Sequence, residues 1–183
     1  MPISEATYAH VAMEDPEGQW ELVCGQLRSK PPMTIERSSV IRRLDRHLQR
    51  DLDDADFEVS ANLSRLRVSA GRFYIPDLCV IRTGVAQRRR RESAGQLEVY
   101  DEPMPLVVEV WSPSTGDYDV EEKLREYQRR GDLEIWRIHP YERTLTAWRR
   151  QADGSYTETL YRGGVVQPVA LRGVSIELDR LFA

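Results

Sequence analysis

Lysine is nearly missing from this 183-residue chain: 24 of its 26 basic residues are arginine, and only Lys30 and Lys123 are lysine. In such a background a retained lysine invites a reason that arginine could not meet, such as a compact ammonium whose charge and proton can be tuned. Lys30, in the loop SKPP, reads as background drift. Cysteine is scarce as well. Cys24 and Cys79 each sit among apolar neighbours, form no disulfide framework or CxxC pair, and are expected to be small reduced core residues of a cytoplasmic protein. No apolar run approaches the roughly 18 residues of a membrane span. The opening MPISEATYAHVAMEDPEG has neither the basic start nor the apolar stretch of a signal peptide. The three histidines, His10, His47 and His139, lack zinc spacing, and neither a glycine-rich phosphate loop nor a nucleophile elbow occurs. Zinc chemistry, nucleotide cofactors and acyl transfer therefore have little support. With 30 acidic residues against 26 basic ones, the net charge of −4 leaves only local contacts for any nucleic-acid partner.

What is present fits one soluble globular domain over residues 1–183, since 40% of the chain is hydrophobic and 31% charged. At this length about 70% of the unfolded surface can be buried, enough for a core without staples. Residues 20 to 28, WELVCGQLR, predict a strand, a turn at Gly25 and a return strand, preceded by a short helix and loop. Thr34 is a good N-cap, and Val40, Ile41, Leu44 and Leu48 recur at helical spacing, so 35–50 is an amphipathic helix with Arg42, Arg43, Arg46 and Arg50 outward. Short strands follow from Phe57 to Arg82, the last carrying a buried run Leu78 to Ile81. GVAQRRRRESAG reads as a polar loop. LVVEVW, residues 106–111, is apolar on both faces and predicts a covered central strand. Residues 118–130 read as a helix capped by Gly131, and LEIWRI, TLTAWRR and YTETLY as strands before an amphipathic end at Leu181-Phe182. The fold class is α/β (α+β): a mixed sheet flanked by helices, with an N-terminal hairpin and C-terminal hairpin strands.

Glu109 lies in the middle of that central strand, where an unpartnered carboxylate would cost several kcal/mol. A buried salt bridge would satisfy it. Asp77 adds another possibility, because it opens the preceding apolar strand directly after Pro76, so two adjacent strands could present carboxylates together. At about 4 Å such charges repel by roughly 4 kcal/mol at an effective dielectric of 20, which a shared proton or a cation must relieve. All-oxygen ligation suits Mg²⁺ or Mn²⁺. On a helical wheel Val120, Lys123, Leu124 and Tyr127 share one arc, whereas Glu121, Glu122, Arg125 and Glu126 point elsewhere. Lys123 thus lies on or beside the sheet-facing stripe, either snorkelling past the core or paired with a carboxylate, for which Glu109 is the obvious partner. An Asp and a Glu around a divalent cation, beside an ammonium, make a phosphodiester hydrolysis site.

The segments WELVCGQLR, IPDLCVI and LVVEVWSPST, then D...K...Y in the helix, GDLEIWRIHP and the closing LxxLF resemble the Uma-two restriction-endonuclease family of the PD-(D/E)XK nuclease superfamily. The similarity runs from about Trp20 to Phe182. It implies a restriction-endonuclease-like core with a Mg²⁺-dependent site (Mn²⁺ as a substitute) acting on DNA, and a homodimer follows if two strands are cut by two sites on a twofold axis. Asp77 matches the motif aspartate, Glu109 the acidic residue of the second half-motif and Lys123 the lysine. The strict pattern puts lysine two residues after Glu109, where this chain has Trp111, so the lysine has moved to the following helix. Glu21 matches a recurrent glutamate and is carried as an accessory metal ligand. On this reading Asp77, Glu109 and the Val110 carbonyl hold one metal ion, and Lys123 orients the attacking water. Arg88, Arg89, Arg90 and Arg91 could grip phosphates or form a solvated loop offset by Glu92, Glu98, Asp101 and Glu102. The alternative to an enzyme is a catalytically silent nuclease fold that binds nucleic acid or a protein partner.

Overall fold

A computed structural model describes residues 2–114 and 116–183, and of residues 116–119 the backbone only. The side chains of Asp117 and of Asp119, the aspartate of D...K...Y, thus lie outside the described residues. Six strands build the main sheet: β3 (Phe57–Ala61), β6 (Leu78–Arg82), β8 (Leu106–Val110), β9 (Glu134–His139), β10 (Thr144–Arg150) and β11 (Tyr156–Tyr161). Their order is β11-β10-β9-β8-β6-β3, with β8 and β9 parallel and the other neighbours antiparallel. A second sheet, β2-β1-β5-β4-β7, joins β1 (Trp20–Val23), β2 (Gln26–Ser29), β4 (Arg65–Ser69), β5 (Arg72–Tyr74) and β7 (Val99–Tyr100). A short ribbon pairs β12 (Val165–Val166) with β13 (Ile176–Glu177).

All five residues of β8 are buried, as its unbroken apolar run requires of a strand covered on both sides. Leu106, Val108 and Val110 pack with Val40, Ile41, Leu44 and Leu48 of helix α2 (Ile35–Asp51) and with the C-terminal segment through Leu178 and Leu181. Val107, on the opposite face, packs with Tyr127 of helix α4 (Gly116–Arg130) and with Leu66, Tyr74 and Tyr100 of the second sheet. Both predicted helix ends hold. Thr34 Oγ accepts from the Arg37 N–H, and Gly131, at φ 85°, turns the chain out of α4 while its N–H donates to the Tyr127 carbonyl.

Three sequence expectations fail here. The segment GVAQRRRR is not a loop: helix α3 spans Thr83–Glu92, because a run of strong helix formers outweighs its polarity and cations suit a helix C-terminal turn. Cys24 is not a core residue. It is exposed, and with Gly25 it forms a two-residue hairpin loop in which both φ angles are positive (51° and 76°), the backbone that a tight β1–β2 connection needs. Glu126, expected away from the Val120, Lys123 and Tyr127 arc, is nonetheless buried, 2.7 Å from Arg72 and from Arg129. Among the described residues no helix is long and apolar enough to cross a membrane.

Just past α4, Asp132 is buried and accepts from the Met104 N–H at 2.6 Å, and Arg130 lies 3.5 Å away. Burial pushes its carboxyl up to about 6 from an ordinary 3.8, despite Arg130. The folded protein therefore takes up this proton before the unfolded chain does, and the group adds stability as pH falls from about 7 to 4. Relative to Asp132→Asn, the wild type should gain up to about 3 kcal/mol over that interval. Urea unfolding of both proteins at pH 7 and pH 4 checks this; an unchanged difference would contradict it.

Candidate active site

Ile75-Pro76-Asp77 carries the chain from the second sheet into β6, placing Asp77 at the corner between the two sheets. In the β6–β8 register Leu78 faces Val108 and Cys79 faces Val107. One more step along that register puts Asp77 opposite Glu109, at the separation of side chains that interact across strands. Strand alternation turns Glu109 to the Val107 face, toward α4, while the Asp77 carboxylate, just ahead of β6, accepts from the Val110 N–H. Helix α4 supplies Lys123 and, one turn on, Tyr127. Glu21 arrives from the middle of β1.

These groups converge. Lys123 Nζ donates to Glu21 Oε1 at 2.8 Å and stands 3.7 Å from Glu109 Oε1, joining two carboxylates that lie far apart in sequence. Glu21 Oε1 also accepts from the Ile75 N–H, and Glu109 Oε1 accepts from the Tyr127 hydroxyl at 2.7 Å. Burial, opposed by Lys123 and assisted by Asp77, raises the Glu109 carboxyl above its ordinary value. Burial and Glu109 hold the Tyr127 phenol well above the usual tyrosine range, so it stays a donor.

Two cations that sequence reasoning set aside or missed complete the cluster. Arg37 binds Asp77 side-on, Nε to Oδ2 at 3.1 Å and Nη2 to Oδ1 at 2.6 Å. Lys30 Nζ reaches Asp77 Oδ1 at 2.7 Å and Asn62 Oδ1 at 2.6 Å. Reading Lys30 as background drift was wrong: both lysines of the chain lie in this cluster. Arg37 had its own signal, since it sits in the first turn of α2, where the helix dipole disfavours a cation. Burial pushes the Asp77 carboxyl up, but Lys30 and Arg37 outweigh it and hold it at about 2.

Glu21, Asp77 and Glu109 thus meet Lys30, Arg37 and Lys123, and none of the six exposes more than 7% of its surface. Three negative and three positive charges must balance inside the protein. Among the described residues no three His, Cys, Asp or Glu side chains are arranged to enclose a metal ion by themselves. The donor set is nonetheless all oxygen, as Mg²⁺ or Mn²⁺ would require. The residues fit a hard divalent ion on condition that it exchange with an ammonium or guanidinium already on Asp77.

The arginines of α3 do not join this cluster. Arg88 pairs with Glu102, Arg89 with Asp101 and Arg90 with Glu58. Beyond Glu109, Trp111 stacks on His139 with ring centroids 4.3 Å apart and meets Tyr141 edge-on. Trp136, Trp148 and Tyr127 are core residues, and Trp20 packs partly buried against Tyr8 and Leu22.

The fold has a solved counterpart described as "a putative nuclease belonging to DUF820 from Anabaena variabilis ATCC 29413". It superposes with a TM-score of 0.74 at 18% identity, covering 91% of this chain and 90% of that one. At that identity the likeness shows the shared fold. No protein with a curated description matches the chain. The model of the Uma2 family, described as "Putative restriction endonuclease", matches residues 6–179, all but the first five and last four residues. The chain belongs to the Uma2 family.

Proposed function

We propose that this protein is a nuclease that hydrolyses phosphodiester bonds in DNA with the help of Mg²⁺ or Mn²⁺. The observation that carries the reading is the buried approach of Lys123 to Glu109, with the Asp77 carboxylate acting on Glu109 from the start of the neighbouring strand. Family membership and the nuclease fold support the same chemistry.

Asp77, Glu109 and the Val110 carbonyl would hold the ion, with Glu21 as an accessory ligand. Bound there, a divalent ion supplies Lewis acidity to a phosphoryl oxygen and makes a nearby water easier to deprotonate. Lys123 orients the attacking water and balances the charge that builds on phosphorus as the water oxygen bonds to it and the leaving oxygen departs. Tyr127 fixes Glu109 by its hydrogen bond, and Glu21 fixes the Lys123 ammonium. A homodimer would let two such sites address two strands.

Incubation of supercoiled plasmid with the purified protein should give nicked or linear product with Mg²⁺ or Mn²⁺ and none with EDTA. Glu109→Gln, folded by circular dichroism, should cleave at background rate. Cleavage that survives both EDTA and Glu109→Gln would overturn the assignment. A second reading, a silent nuclease fold that only binds a partner, draws on one observation: the chain's own cations occupy Asp77. It requires no cleavage and no metal uptake under the same conditions.

A further inference from the structure

Asp77 is saturated by the chain itself. A carboxylate offers about four lone-pair positions. Lys30 Nζ and Arg37 Nη2 take Oδ1 at 2.7 and 2.6 Å, and Arg37 Nε and the Val110 N–H take Oδ2 at 3.1 and 2.7 Å. No position remains for an incoming ion. Arg37 is 1% exposed, yet among the described residues its Nη1 has no hydrogen-bond partner. An orphaned donor on a buried guanidinium in a helix's first turn is a poor device for stability, since apolar residues would fill the same space at less cost. It is better explained by a ligand that the guanidinium meets only part of the time.

The charges say which ligand. The cluster is balanced at three against three, so a divalent ion entering alone leaves two surplus positive charges in a buried pocket. It must also compete with Lys30 for Oδ1. A phosphodiester arriving with the ion removes part of that surplus and offers acceptor oxygens to whichever cation leaves Asp77, including the unfilled Arg37 Nη1. We propose that Lys30 and Arg37 form a cation latch on Asp77, competing with the divalent ion in the resting site and passing to the substrate phosphate when ion and phosphodiester load together. This rests on the nuclease reading and assigns two residues to it outside the matched motif.

The latch makes Lys30 act in opposite directions on two ligands. Calorimetry with the full chain should show weak Mn²⁺ binding that tightens at least tenfold when a cleavage-resistant phosphorothioate DNA duplex is present. Lys30→Met should bind Mn²⁺ alone at least tenfold more tightly than wild type, while its binding of the duplex in Mn²⁺ weakens. Lys30→Gln, which can still bond Asn62 without the charge, should behave alike and guards against a local packing artefact; Lys30→Arg should restore the wild-type pattern. A merely structural Lys30 would leave Mn²⁺ affinity unchanged or lowered, and that result overturns the latch. If neither wild type nor Lys30→Met takes up Mn²⁺ in an Asp77-dependent way, the nuclease reading falls and the latch with it.

Discussion

Asp77→Asn should lower the stability of this protein by about 4 kcal/mol at pH 7, a large part of the 5–15 kcal/mol typical of a folded domain. The loss comes from the cations it strands. Lys30 and Arg37 are 7% and 1% exposed, and an asparagine amide would turn its own donors toward one of them. Removing one partner of a buried pair usually costs about 3–5 kcal/mol because the remaining charge stays in a poor solvent. Adding Lys30→Met to Asp77→Asn should therefore recover part of the loss, a coupling that a double-mutant cycle in urea measures directly. The pH dependence has a definite sign. Asp77 is held at about 2 against an ordinary 3.8, so its contribution is fully present above about pH 4 and disappears as pH falls through 2. The deficit of the variant should be constant from pH 5 to 8. A loss below 1 kcal/mol, or strictly additive variants, would mean that the cations find water when Asp77 is gone.

Lys123→Met should slow single-turnover DNA cleavage by roughly 100- to 1,000-fold, the size seen when one preorganised donor to a transition-state charge is removed. Methionine keeps most of the apolar stem, so the face of α4 stays filled. What is lost is the ammonium between Glu21 and Glu109. Affinity for the duplex should change little, because the charge is needed most when phosphorus carries five oxygens. Lys123→Arg should not restore the rate: a planar guanidinium cannot replace a point charge held 2.8 Å from one carboxylate and 3.7 Å from another. A cleavage rate within twofold of wild type would remove Lys123 from the chemistry.

The layout around Glu109 was legible because each element announced itself by period. The short apolar run LVVEVW read as a strand covered on both faces, and the Val120, Lys123, Tyr127 arc lay on or beside the sheet-facing stripe, as the structure has them. The pairing of β6 beside β8 then followed from two apolar runs, although their antiparallel register, which sets Asp77 against Glu109, is a tertiary fact. Arg37 and Lys30 were hidden for another reason. Lys30 lies in the polar loop SKPP, and Arg37 on an amphipathic helix whose other arginines, Arg42, Arg43, Arg46 and Arg50, do face solvent, so apart from the misplaced charge in the helix's first turn the pattern predicts exposure. Only the three-dimensional position of Asp77 draws them inside. Polarity likewise disguised α3 as a loop, since its arginines find Glu58, Asp101 and Glu102, and not solvent alone.

A crystal of the full chain grown with Mn²⁺ and a cleavage-resistant duplex tests the central claim most directly. The account places an anomalous peak in contact with both the Asp77 and Glu109 carboxylates, with Lys30 drawn away from Asp77 and Lys123 still beside Glu109. A duplex-bound crystal in which Lys30 and Arg37 keep all their contacts to Asp77, and no manganese lies between the two strands, would contradict it.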